Sequence, residues 1–218
     1  MALKQVLRTF NQNNKRLNSI HKCGFSTNFK EINGIITEID IFDTILDDYK
    51  SVINDQYNPY KNHCYRVINY FNLFWPINTT NNNIILEKVA LSAVFHDIGL
   101  WTENTVDYID PSVHEAQEYL KNNNKTDMIK DVSSMIDLHH KIRSIDMSEY
   151  PNNGELIETF RKSDWIDVTQ GMLRFGLNKN DIKNIQITFP NLGFHDNLNR
   201  LAKQAVMNRQ NPIPMYKW

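Results

Sequence analysis

Residues 84–99 read IILEKVALSAVFHDIG and form the most apolar segment of the chain. The segment ends on two titratable residues, His96 and Asp97, directly after Val94 and Phe95. An apolar run of this length without proline predicts a buried helix. Because a buried carboxylate is costly unless it is paired or bound to a cation, the end of this helix is the first candidate functional site.

Helical patterns continue on both sides of this segment. Apolar residues at helical spacing predict helices over residues 35–46, 59–74, 84–98, 110–120, 127–142, 154–175 and 195–209, with 178–190 as a linker that contains a short helix. No run of alternating residues predicts strands, and seven glycines and seven prolines are few for a turn-rich β protein. The sequence therefore predicts an all-α fold, a single-domain helical bundle over residues 31–218.

The composition excludes several classes of protein. The 218 residues include 24 Lys and Arg and 25 Asp and Glu, a formal net charge of −1, which argues against a protein that binds nucleic acid mainly by bulk electrostatics. No apolar segment is long enough to span a bilayer, so no membrane partner is expected. The two cysteines, Cys23 and Cys64, form neither a disulfide framework nor a paired zinc-finger motif, which favours a reducing compartment.

Residues 1–30 form a basic segment without acidic side chains, since the first acidic residue is Glu31. Leu3, Val6 and Leu7 share one helical face within it. Such a segment is typical of an organellar transit peptide, and it fits an extra helix packed on the domain equally well. The predicted location is therefore cytoplasmic, or the mitochondrial matrix if residues 1–30 are a transit peptide.

Further titratable residues lie on the apolar faces of other predicted helices. His63 shares the apolar side of its helix with Val67, Asp164 lies on the inward face of a later helix, and His139 and His140 continue the apolar stripe of a third. Each residue alone would more often be a hydrogen-bonded or ion-paired core residue. Together, imidazoles and carboxylates that converge inside a helical bundle are typical of a divalent metal site.

The order His63, His96-Asp97, Asp164 resembles the signature of the HD-domain superfamily of metal-dependent phosphohydrolases. The strings HCYRV from His63, AVFHDIG around His96-Asp97 and SDWID around Asp164 each resemble a motif of that family, and the resemblance covers residues 35–180. It implies that His63, His96, Asp97 and Asp164 hold a divalent ion (Mn, Co, Ni, Mg or Fe) that polarises a phosphate and activates a water. The implied substrate is a small phosphorylated molecule such as a nucleotide, and a homo-oligomer is left open.

Some branches of this family hold two ions with additional histidines, and His114, His139 and His140 resemble that pattern. On this resemblance, His114 and one or both of His139 and His140 would hold the second ion; otherwise one ion binds and His114 contacts substrate phosphate. The same set is compatible with the HD-type di-iron oxygenases, and a non-catalytic nucleotide-binding module is a further alternative. Leu100 and the residues after His140 depart from the cyclic-di-GMP phosphodiesterase branch.

The candidate catalytic residues are Asp97, Asp167 and Arg66. In two-metal branches, the aspartate corresponding to Asp97 bridges the ions. Arg66 lies almost one helical turn beyond His63, where it would reach a substrate phosphate unless it forms a surface salt bridge. Asp167 follows Asp164 by three residues, so it would orient a ligand or accept a proton.

Overall fold

The computed structural model of the protein describes residues 27–77 and 83–207. Over these residues the chain is mostly helical, which confirms the predicted all-α class. Residues 1–26 of the basic amphipathic segment predicted at the N terminus lie outside the described residues. The helices within the described ranges lack the combination of length and apolar character that crossing a membrane requires.

The helices form one bundle around a shared apolar core. They are α1 (Asp40–Asp48), α2 (Lys50–Ile53), α3 (Tyr57–Phe74), α4 (Asn83–Phe95), α5 (Gly99–Thr102), α6 (Ile109–Asn122), α7 (Ile129–Leu138), α8 (Gly154–Val168), α9 (Lys179–Thr188) and α10 (Phe194–Met207). Helices α3 and α8 pack against each other, α4 packs against α3 and α7, and α7 contacts α6 and α8. This arrangement places α3, α4, α7 and α8 around the interior where the candidate site lies.

The chain enters the bundle through a β-hairpin, which the sequence analysis missed. Strand β1 (Phe29–Ile32) pairs antiparallel with β2 (Ile35–Ile39), so the helix predicted over 35–46 begins only at α1. The connecting residues Asn33 and Gly34 have φ values of 53° and 79°. Both positions of a tight type I′ hairpin turn need such left-handed backbone, and Asn-Gly is the pair that this turn prefers.

Two predicted helices end earlier in the structure than in the prediction. Helix α8 stops at Val168 instead of near Phe175, because Gln170 and Gly171 take positive φ values of 54° and 80°. Helix α7 stops at Leu138 instead of near Ile142. As a result, the two histidines that follow α7 lie in a turn and not on one face of a helix.

Candidate metal centre

Six titratable side chains from four segments converge inside the bundle. His63 lies on α3 and His96 follows α4, and these two form the first imidazole pair; His139 and His140 follow α7 and form the second imidazole pair. Asp97 and Asp164 complete the centre, and none of the six residues exposes more than 6% of its surface. The structure thus brings together six of the seven residues that the sequence predicted as metal ligands.

Asp97 lies between the two imidazole pairs. Its Oδ2 atom is 3.3 Å from His96 Nε2 and 3.6 Å from His63 Nε2. Its Oδ1 atom is 3.4 Å from His139 Nε2. One carboxylate therefore faces one imidazole pair with each of its oxygens, which is the position expected of a bridging ligand.

Asp164 repeats this arrangement from the opposite helix. Its Oδ1 atom is 3.5 Å from His63 Nε2 and 3.7 Å from His96 Nε2, and its Oδ2 atom is 3.4 Å from His140 Nδ1. Three overlapping groups of these residues have ligand atoms within 4.8 Å of one another. The six side chains therefore form one continuous candidate centre. They supply enough nitrogen and oxygen donors for one ion or two.

Backbone carbonyls fix which nitrogen of two histidines faces the centre. His96 Nδ1 lies 2.9 Å from Ala93 O, and His139 Nδ1 lies 2.6 Å from Ile136 O. A carbonyl oxygen can only accept, so each Nδ1 carries the proton and donates it. The Nε2 lone pairs consequently point into the centre, as metal ligation requires.

A buried ion pair orients His63 in the same way. Asp167 Oδ2 lies 2.7 Å from His63 Nδ1, and the Arg66 guanidinium donates to both oxygens of Asp167 at 2.5 and 2.8 Å. Burial raises the pKa of Asp167, but the charge and hydrogen bonds of Arg66 outweigh burial and hold that pKa well below its usual range. Asp167 is therefore an ionised acceptor, and His63 donates from Nδ1 and turns its Nε2 lone pair inward.

This placement changes the roles predicted for Arg66 and Asp167. Arg66 is 2% exposed, and its third nitrogen, Nη1, donates to Phe189 O at 3.0 Å. The guanidinium is committed to Asp167 and a carbonyl, so it does not reach a phosphate at the centre and does not form a surface salt bridge. Of the two roles considered for Asp167, the geometry matches the orientation of a ligand, His63.

The second imidazole pair points inward because it lies in a turn. His139 presents Nε2 to Asp97, whereas His140 presents Nδ1 to Asp164 and places Nε2 2.7 Å from the hydroxyl of Tyr108. Sequence reasoning did not identify Tyr108, which is 1% exposed and lies in the loop before α6.

A glycine allows this loop to approach the centre. A Cβ atom at Gly99 would lie 2.4 Å from the carbonyl oxygen of Tyr108 and 3.0 Å from Pro111 Cβ. In addition, the Gly99 amide donates to Ser112 Oγ at 3.0 Å. The glycine of the HDIG string thus brings the start of α6, and Tyr108 with it, against the second imidazole pair.

Helix α8 also anchors the chain directly after this pair. Lys141 O accepts from Arg161 Nη1 at 3.0 Å and from Trp165 Nε1 at 3.2 Å. Arg161 donates from its other two nitrogens to Glu158 at 2.7 and 2.8 Å, and Glu158 Oε2 accepts from Ile145 N at 3.0 Å. This second buried ion pair holds residues 141–145 on α8.

Several buried polar atoms of the centre make no hydrogen bond. Among the residues that the structure describes, Asp97 Oδ1, both carboxylate oxygens of Asp164 and His139 Nε2 are buried without a hydrogen bond. Buried polar atoms of this kind cost free energy unless something satisfies them. One or two divalent cations would accept lone pairs from these atoms, and imidazole with carboxylate is a donor set that suits such ions. The residues present therefore fit a metal.

The charge state of the centre leads to the same conclusion. Burial lowers the pKa of His96 to about 3, so this imidazole is neutral near pH 7, as a ligand must be. Burial opposes ionisation of Asp97, but the neighbouring histidines, His96 first, hold its pKa well below the usual range. Burial raises the pKa of Asp164 to about 7. Burial lowers the pKa of His139, but its contact with Asp97 and the charges of both carboxylates outweigh burial and raise that pKa. The charge of His139 does not offset the burial of Asp164, so the protein alone does not keep both carboxylates ionised near pH 7.

The structure does not bring His114 to the centre, which corrects its prediction as a ligand of a second ion or a contact of substrate phosphate. His114 is exposed on α6, whose buried positions include Ser112 and Ala116. It lines an open surface cavity of about 500 Å³ together with acidic residues such as Asp110 and Glu115. This cavity contains no residue of the centre.

Helix α10 covers the first imidazole pair, and this cover was also not predicted. The ring of Phe194 stacks on that of His63, with a centroid distance of 4.2 Å and an interplanar angle of 15°. His195 Nε2 donates to Asp167 O at 2.9 Å. No short motif marks either residue, because their roles depend on contacts between segments that are far apart in the chain.

Comparison with known proteins adds no assignment to this centre. No protein-family model matches the chain, and no curated protein and no solved structure matches it.

Proposed function

We propose that this chain is a metal-dependent phosphohydrolase that hydrolyses a phosphate ester of a small molecule, with nucleotides as the first substrate class to test. The proposal is carried by one observation: Asp97 and Asp164 each face the first imidazole pair with one oxygen and the second pair with the other. The order of these residues in the chain also resembles the HD-domain signature.

The donors divide into two adjoining sets. The first imidazole pair with Asp97 and Asp164 would hold one ion, and the second imidazole pair with the same two carboxylates would hold a second. When bound, such ions neutralise charge on phosphoryl oxygens and lower the pKa of a water to near neutrality.

The chain itself keeps the ligands in the protonation state that binding needs. Asp167 and the two backbone carbonyls behind His96 and His139 accept the Nδ1 protons of three imidazoles. Tyr108 contacts His140 from the side away from Asp164, so that His140 Nδ1 is directed at the centre. Preset tautomers and orientations mean that no ligand has to rearrange when substrate arrives.

A second candidate function is an oxygen-activating di-iron enzyme of the HD type. The enclosure of the centre favours it, since His96 and His139 are fully buried and Asp97 is 3% exposed. Exclusion of bulk water protects reactive species from side reactions. The same nitrogen and oxygen donors bind iron.

The first test is the metal content of the purified protein by elemental mass spectrometry. We expect about one or two ions of Mn, Co, Ni, Mg or Fe per chain, and a loss of most of this metal in Asp164→Ala and His139→Ala. His114→Ala is the matched control, because it removes an exposed histidine outside the centre and should leave the content unchanged. Absence of metal in every preparation, even after reconstitution, would refute the site.

The second test is release of inorganic phosphate from a panel of nucleotides. We expect activity that a chelator abolishes and the metal restores, and that is lost in Asp164→Ala but kept in His114→Ala. Two irons per chain with consumption of dioxygen and no phosphate release would support the oxygenase. Bound metal with nucleotide binding but neither reaction would support a non-catalytic module.

A further inference from the structure

Helix α10 contacts both halves of the metal centre. At its start, Phe194 stacks on His63 of the first imidazole pair. Further along, Leu198 and Leu201 pack against the small apolar cluster that contains Tyr108, whose hydroxyl contacts the second imidazole pair. One helix therefore covers His63 of the first pair directly and reaches the second pair through Tyr108.

The segment before α10 has the features of a hinge. Leu192 and Gly193 both have positive φ, 52° and 87°. A Cβ atom at Gly193 would meet nothing within 4 Å, so the backbone is not packed there. Just upstream, the carbonyl oxygens of Phe189 and Pro190 accept hydrogen bonds from side chains of α3 at 3.0 and 2.8 Å. The chain is thus anchored up to residue 190, and it is loosely packed at Leu192, which is 55% exposed, and at Gly193.

Beyond its buried first turn, which contains Phe194 and His195, α10 is weakly attached compared with the central helices. Leu198 and Leu201 are only partly buried, and Val206 and Met207 near its end expose 59% and 74% of their surface. Segments with little buried apolar surface open locally at a small fraction of the global free energy of unfolding. Helices α3 and α8, in contrast, supply much of the buried core.

We propose that α10 is a lid that moves about Leu192-Gly193 and controls access to the metal centre. The inference rests on the proposed function, since it concerns the same site. With α10 in place the centre is almost fully buried, so a phosphorylated substrate or a chelator reaches it only when the lid opens. Closure over bound substrate would then exclude bulk water during the reaction.

Hydrogen exchange of the full chain, read by mass spectrometry, tests the motion. We expect the amides of α10 to exchange at least about 100-fold faster than those of α3 and α8. The double variant Leu198→Ala/Leu201→Ala should speed exchange in α10 by about tenfold more, because it removes apolar contacts that close the lid. Asn199→Ala, on the exposed side of the same helix, is the control. If the amides of α10 exchange as slowly as those of α3, the proposal that α10 is a lid is wrong.

The rate at which excess chelator removes the metal tests the control of access. We expect loss about tenfold faster in Leu198→Ala/Leu201→Ala, with the metal content before chelation unchanged. Leu73→Ala removes a partly buried leucine at the far end of α3 and should leave the rate as in the unmodified protein. An unchanged rate in the double variant would refute the lid as a gate.

The two proposals fail differently in these experiments. A protein that binds no metal would contradict the proposed function, while hydrogen exchange, which needs no metal, would still decide whether α10 opens. A metal-binding protein whose α10 exchanges slowly and whose chelation rate ignores the double variant would keep the proposed function and lose the lid.

Discussion

Two buried carboxylates on helix α8 have opposite surroundings. Glu158, 6% exposed, accepts three hydrogen bonds, two from Arg161 and one from Ile145 N. Asp164, 1% exposed, accepts none from the residues that the structure describes. The chain supplies a permanent cation for the first carboxylate and only histidines for the second, so the protein satisfies the first carboxylate and leaves the second without a hydrogen bond from any described residue.

The same difference appears in the acidity of the two groups. Burial raises the pKa of Glu158, but hydrogen bonds from Arg161 and Ile145 outweigh burial, and the pKa is lowered. Burial dominates at Asp164, whose pKa is raised to about 7. A buried polar network is therefore informative about function when it is incomplete, since a complete one needs no further partner.

The largest change in the free energy of unfolding is expected from Arg161→Met. This change leaves Glu158 buried with only the more distant ammonium of Lys162, 3.6 Å away, and leaves Lys141 O with Trp165 Nε1 as its remaining donor. The free energy of unfolding should therefore fall by about 3–4 kcal/mol, because a partly exposed lysine replaces only part of the buried pair. The loss should be the same with and without metal, because the pair does not belong to the centre. Urea denaturation measures it.

The exposed pair Lys121–Glu118 on α6 provides the control for this experiment. Lys121→Met breaks an ion pair whose side chains are about half exposed, so it should leave the unfolding midpoint unchanged. The double variant Glu158→Leu/Arg161→Met should recover most of the stability, because no unpaired charge remains. If Arg161→Met lowers the free energy of unfolding only slightly, Glu158 does not depend on its permanent cation, and the contrast between Glu158 and Asp164 is wrong.

A smaller change of opposite sign, a gain in the free energy of unfolding, is expected from Asp164→Asn in the metal-free protein. The folded-state pKa of Asp164, about 7, lies above its unfolded value of 3.8, so ionisation in the folded state costs stability as pH rises. The variant should therefore be more stable than the unmodified protein, by roughly 3 kcal/mol at pH 8, with the gain developing between about pH 4 and 7.

The gain must be measured as a difference between the two proteins. Buried neutral imidazoles such as His96 make stability rise with pH over the same range, and the difference largely removes their contribution. With metal bound, the sign should reverse, because the variant loses a ligand. If the stability gain of the variant over the unmodified protein, both metal-free, is no larger at pH 8 than at pH 5, Asp164 does not carry the uncompensated charge.

The smallest effect is expected from Tyr108→Phe. Loss of one hydroxyl contact to His140 should weaken metal binding by about tenfold while changing the unfolding of the metal-free protein by about 1 kcal/mol at most. Tyr49→Phe is the control, since it removes a buried tyrosine's hydrogen bond to Glu115, away from the centre. If His140→Ala and Tyr108→Phe weaken binding additively, Tyr108 does not act through His140.

The sequence predicted those residues of the candidate centre whose helical neighbours are apolar. His63 and Asp164 lie one turn from Val67 and Phe160, and the structure buries all four. His114 was predicted from motif order alone. Its neighbour one turn on is polar, a pattern typical of the exposed face on which the structure places it.

One feature of the structure has no signal in the sequence, and another has a signal that was missed. The contact of Tyr108 with His140 joins residues 32 positions apart, and no local pattern reports such a contact. The hairpin did have a signal, Asn33-Gly34, but Ile35, Ile36 and Ile39 also fit helical spacing. Local periodicity indicates which way a side chain faces, whereas contacts between distant segments need the folded chain.

The close approach at Gly99 constrains how this protein can vary. Any side chain there would collide with the backbone of Tyr108, and relief would push the start of α6 away from the second imidazole pair. In a saturation mutagenesis experiment selected for function, position 99 should accept glycine alone. Such a selection would find position 99 as intolerant of substitution as Asp97 and Asp164, although a glycine has no side chain that could take part in the chemistry. At this position, intolerance to mutation therefore reports a short backbone distance and not a reactive group.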